Sequence, residues 1–136
     1  MSIKYLPLLA IFIAPQGIAQ SFTTAAEVRP ILEATQGGWV AVREYDGQDL
    51  LYITHLLAWR CGLQSISVAI NGGPQEAWEI EPCYEAEPTP NAIKSETLLP
   101  YKRYDLSSIQ TISVQLTYDD GVLAEAQFER ANVMTP

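Results

Sequence analysis

The clearest pattern lies near the end of the chain. Ile112, Val114, Leu116 and Tyr118 alternate with Thr111, Ser113, Gln115 and Thr117. Asp119-Asp120-Gly121 then turns the chain into Val122, Ala124, Ala126 and Phe128, with Glu125, Gln127 and Glu129 on the opposite face. A period of two with one apolar face is the mark of a half-buried strand, so these residues predict a hairpin. The same period runs through Trp39 to Tyr45 and Leu50 to Leu57, with Asp46-Gly47 between them as a two-residue turn. A further hairpin is expected where Ile66, Val68 and Ile70 alternate and Asn71-Gly72-Gly73-Pro74 reverses the chain into Glu76 to Glu81.

One segment has helical spacing instead. Between Thr24 and Thr35, Ala25, Val28, Ile31 and Leu32 fall on one face, and Thr24 with Glu27 three residues later forms a capping-box signature. Pro30 lies too deep to be a first-turn proline, so a kink or restart is expected there. Gly37 and Gly38 end the segment. The predicted fold is mainly β: an antiparallel β-sandwich or open barrel built from hairpins and preceded by one N-terminal helix.

The stretch Pro82 to Pro100 interrupts this order. It carries Pro82, Pro88, Pro90 and Pro100 with Glu85, Glu87 and Glu96, and cannot be a central strand. A connection of this length is either a cover strapped down at Cys83 or a loop that binds something.

The N-terminus carries a different signal. Lys4 precedes an apolar run from Tyr5 to Ala14, too short to span a bilayer, and Pro15 and Gly17-Ile18-Ala19 supply a break and small residues for cleavage. Residues 1–19 are therefore expected to be a signal peptide, and residues 20–136 a single exported domain, periplasmic or secreted. No later apolar stretch approaches membrane-spanning length, so no membrane insertion is expected after processing.

Composition fits that reading. The chain is 48% hydrophobic and 18% charged, enough apolar matter for an ordered core. Its formal charge is -8, and loss of Lys4 with the leader makes it one unit more negative. Such a field disfavours nucleic acid and anionic surfaces as partners. Cys61 and Cys83 are the only cysteines, and an oxidising compartment predicts a disulfide between them.

Catalytic candidates are few. His55 is the only histidine, and its place in an alternating apolar run beside Leu51, Ile53 and Leu57 suits the edge of a core better than a general base. Asp46 with Asp49, and Asp119 with Asp120, sit in or beside turns, where local hydrogen bonding explains an aspartate without a metal. No phosphate loop, nucleophile elbow, zinc-protease or dinucleotide motif is present. The sequence thus assigns no catalytic residue, cofactor or metal ligand. Arg60, next to Cys61, is expected to pair with an acid near the bridge.

The aromatic residues suggest binding. Trp78 and Tyr84, with Glu85 and Glu87, form the candidate surface: rings for stacking and carboxylates for hydroxyls or cations. The segment from Trp39 to Leu50, WVAVREYDGQDL, with Ala58 to Leu63, AWRCGL, resembles small uncharacterised exported proteins of bacteria. That resemblance covers most of the chain after the leader and implies an exported single domain without assigned activity. The expected function is non-catalytic recognition of a protein or cell-envelope ligand through the acidic loop and a sheet face. The alternative is a glycan-binding module or an inhibitor of a basic cell-wall hydrolase. An enzyme is the least favoured class.

Overall fold

Thr24 starts the first helix, α1 (Ala25–Ala34), as its composition demands. The Glu27 amide donates to the Thr24 hydroxyl at 3.2 Å, and the Glu27 carboxylate accepts from the Thr23 amide and the Thr24 hydroxyl, each at 3.1 Å. The Glu27 amide of the first turn and the Thr23 amide just before the cap are thereby satisfied. The helix runs without interruption through Pro30, so the expected restart does not occur. Val28 and Leu32 are fully buried and hold the helix on the core from either side of the proline.

The computed structural model describes residues 21–136; the expected signal peptide lies outside the described residues. Two antiparallel sheets follow α1. The first has the order β1 (Ala41–Tyr45), β2 (Gln48–Tyr52), β5 (Tyr101–Asp105). The second has the order β4 (Glu76–Ala77), β3 (Leu63–Ile70), β6 (Thr111–Tyr118), β7 (Leu123–Glu129). Neither sheet closes into a barrel. Val42 and Leu51 from the first sheet and Ile66, Val114 and Leu116 from the second meet Val28 and Leu32 of α1 in one core.

The hairpin turns follow their residues. Asp46 and Gly47 have φ of 53° and 75°, the left-handed pair that matches strand twist, and Asn71 and Gly72 repeat it at 55° and 76°. The β6–β7 pair holds the predicted register, with Ile112 opposite Phe128 and Val114 opposite Ala126.

Three expectations are corrected, and one strand is present that the alternation does not predict. The apolar run after Tyr52 is not strand: α2 (Thr54–Ala58) takes over. Ile53, Leu56 and Leu57 are all buried at helical spacing, whereas a strand would aim Leu56 and Leu57 to opposite faces. The strand expected from Trp39 begins only at Ala41, because Gln36–Gly38 form a tight helical turn and Trp39 follows in helical backbone. The strand expected over Glu76 to Glu81 pairs only at Glu76–Ala77, and beyond it the Trp78 amide donates a hydrogen bond to the Ile66 carbonyl at 2.9 Å. Finally, β5 completes the first sheet although its sequence, Tyr-Lys-Arg-Tyr-Asp, carries no aliphatic residue.

The C-terminal segment ends the fold. After α3 (Arg130–Val133), Met134 bridges Val42 in parallel and the Thr135 amide donates to the Val42 carbonyl at 2.8 Å, covering the outer edge of β1.

Candidate functional site

Antiparallel register turns the outer side of the first sheet into an ordered array. Ala41, Tyr52 and Tyr101 stand opposite one another across β1, β2 and β5; then Arg43, Leu50 and Arg103; then Tyr45, Gln48 and Asp105. Alternation places the intervening Val42 and Leu51 on the other side, where both are fully buried. All of the outer residues but Ala41 and Asp105 line one depression of about 280 Å³, which also takes in Asp46.

Leu50 at its centre is only 5% exposed yet lies on the side away from the core. It is flanked in register by Arg43 and Arg103, whose alkyl stems suit covering an apolar floor while the guanidinium groups stay in water. Arg43 sits 4.7 Å from the centre of the Tyr45 ring and Arg103 5.2 Å from that of Tyr101. Tyr52 and Tyr101 form a tilted pair 5.2 Å apart. Tyr45 is 55% exposed, so the array is open to a partner.

A wider groove of about 740 Å³ adjoins this face and shares Arg43 and Tyr52 with it. Gly38, Ala41, Thr54, His55 and Ala58 form its floor and far wall. His55 projects from α2, not from a strand, and its Nε2 lies 2.8 Å from the Thr35 hydroxyl. That hydroxyl gives its single proton to the Ile31 carbonyl at 2.6 Å, so Nε2 must be the donor and neutral His55 keeps its lone pair on Nδ1. Burial pushes its pKa below the ordinary histidine value, and no carboxylate bears on it. A general base would be oriented by an acid; His55 is held by a threonine.

The sequence-predicted surface divides. Trp78 is 5% exposed and belongs to the core, with Lys102 Nζ 4.6 Å from the centre of its ring. Tyr84 is half-buried, with Lys94 Nζ 4.4 Å from its centre, while Glu85 and Glu87 are exposed and Glu87 pairs with Lys94. Thus Tyr84 and Glu87 meet through one lysine, and Trp78 serves as packing.

The proline-rich segment also has a structural role. The buried Arg60 donates to five main-chain carbonyls: Leu57, Glu81, Pro82, Asn91 and Ala92. The expected ion pair with an acid is replaced by this bundle, since carbonyls can satisfy all the guanidinium protons at once. Burial would raise the Glu81 pKa, but the Tyr84 hydroxyl and the Lys94 and Ser95 amides all donate to its carboxylate and hold it lower than usual. Cys61 and Cys83 are joined with Cα atoms 4.9 Å apart, fixing the segment at its start.

Among the described residues, no group of three or more His, Cys, Asp or Glu side chains is arranged to hold a metal ion, and no helix is long and apolar enough to cross a membrane. The chain matches no protein-family model, no curated protein and no solved structure.

Proposed function

We propose that the protein is a non-catalytic binding module acting outside the cytoplasm, and that its working surface is the outer face of the three-stranded sheet. One observation carries this reading: Tyr45, Tyr52 and Tyr101 share an exposed face with Arg43 and Arg103 around a covered apolar centre. Tyrosines and arginines give large contact area, stacking and hydrogen bonding together, and both are favoured where surfaces bind. The disulfide supports work in an oxidising compartment. The segment after Pro82 is less suited to that task, because Arg60, Glu81 and the disulfide give it a packing role.

Retention on immobilised envelope polysaccharide tests the reading. Replacing Tyr52 and Tyr101 together by Ala should abolish retention, whereas Glu85→Gln with Glu87→Gln should leave it unchanged. Reversed results would favour recognition of a cationic protein through the acidic segment, a reading supported by the exposure of Glu85 and Glu87.

A further inference from the structure

The charge distribution on the outer face narrows the ligand, on the premise that this face is the binding surface. The chain has 8 Lys and Arg residues against 16 Asp and Glu, so an arginine without a carboxylate partner is unexpected. Arg29 pairs with Asp120, Lys94 with Glu87, and Arg130 with Asp49 and Glu44. Arg60 is spent on main-chain carbonyls, and Lys102 lies over Trp78. Among the described residues, Arg43 and Arg103 make no ion pair, and both stand in the middle row of the face.

We propose that this face binds an extended acidic glycan that carries carboxylates on alternating sugars. The two arginines lie one strand apart from β2 on either side, which separates their backbones by about 10 Å, on the order of one disaccharide. Each guanidinium presents a planar fork suited to bidentate capture of a carboxylate. Between them the arginine stems lie over the buried Leu50 and give the intervening sugar an apolar rest, and Gln48 and Asp105 in the next row can bond its hydroxyls. Tyr52 and Tyr101 extend the apolar strip for a further ring. A nucleic-acid strand fits less well: it brings a charge with every nucleotide, where this glycan brings one with every second sugar, and only two arginines stand in the middle row.

Calorimetric titration of the disulfide-bonded protein with three probes decides the matter: an alternating glucuronate–N-acetylglucosamine hexasaccharide, an N-acetylglucosamine hexamer, and a thymidine hexanucleotide. Amide-shift mapping locates each contact. The acidic saccharide should bind about tenfold or more tighter than the neutral one, as one strong charge-assisted contact implies. It should perturb Arg43, Leu50, Tyr52, Tyr101 and Arg103. Arg43→Gln and Arg103→Gln should each weaken it about tenfold with unchanged melting temperature, and added salt should weaken it further. Equal binding of the neutral hexamer, untouched by either Gln variant but still mapping to this face, would overturn the acidic ligand and leave the binding surface standing. Tighter binding of the oligonucleotide would likewise overturn it. If no saccharide perturbs the face, the inference and the binding reading beneath it both fall.

Discussion

Arg130, first residue of α3, closes on Asp49 in β2, with Nη1 2.6 Å from one carboxylate oxygen and Nη2 3.0 Å from the other. Asp49 is wholly buried and also accepts the Ser107 amide at 2.9 Å and the Ile109 amide at 3.1 Å. This one carboxylate ties the C-terminal helix, the first sheet and the turn before β6 together. Asp49→Asn would leave the guanidinium with half its partner and should lower stability by roughly 3 kcal/mol in urea unfolding.

The same pair sets an acid limit. The Arg130 hydrogen bonds, against the opposing effect of burial, bring the Asp49 pKa down to about 2 from 3.8. A lowered carboxylate contributes stability fully above the unfolded value and loses it as pH falls through the folded one. Circular dichroism should therefore show native structure persisting below pH 3.8 and this contribution, of the order of 2 kcal/mol, fading towards pH 2. In Asp49→Asn that acid step should vanish.

Much of this architecture can be read from the residues alone, and the failures have physical causes. The turns at Asp46-Gly47 and Asn71-Gly72 were legible because both positions take left-handed backbone, which few residues tolerate. The capping box and the β6–β7 alternation were legible for similarly local reasons. By contrast, Leu51 to Trp59 is apolar enough to satisfy either period, and only burial of Leu56 and Leu57 on one side selects helix. Strand β5 owes its place to pairing with β2. The proposed binding face was missed with it, since Tyr101 and Arg103 join Tyr52 and Arg43 only through that pairing. Aromatic and charged residues alternating after Pro100 were the available clue.

Removing the disulfide by Cys83→Ser opens a loop of sequence separation 22 and should cost about 3 kcal/mol by thermal unfolding. Native hydrogen exchange should then rise mainly in residues 82–92, because α1 and the sheets keep their own contacts. Arg60→Met should loosen the same residues with the disulfide intact, as five carbonyls lose their donor.

His55 should titrate below the ordinary value of 6.5, because burial opposes its charge. Below that pH the unfolded chain takes up a proton the native state refuses, so stability falls as the solution is acidified through the folded value and is complete above 6.5. Ring nitrogen shifts should show the proton on Nε2 at neutral pH. A proton on Nδ1 would contradict the Thr35 hydrogen bond.

Gly62 marks where α1 touches the turn before β3. A methyl group there would come 2.2 Å from Val28 Cγ2 and 2.8 Å from the Thr24 carbonyl oxygen. Gly62→Ala should cost about 1–3 kcal/mol by the same urea unfolding, since the helix would have to move outward.

Arg60 makes all its hydrogen bonds to the strap through backbone carbonyls, with its guanidinium 5.8 Å from the centre of the Tyr84 ring. Carbonyls are common to every residue type, so the grip places little demand on side chains at Glu85, Ala86, Glu87, Pro88 and Thr89, which lie exposed between the clamped ends. Asn91 is the exception, because its side chain also accepts the Cys61 amide at 2.9 Å and donates to the Phe22 carbonyl at 3.1 Å. Glu87 is tied more lightly, by its pairing with Lys94 and by its amide, which donates to the Tyr84 carbonyl at 3.0 Å; the stem fixed by one guanidinium and one disulfide thus holds up a short exposed tip at Glu85, Ala86, Pro88 and Thr89 whose side chains carry none of the grip.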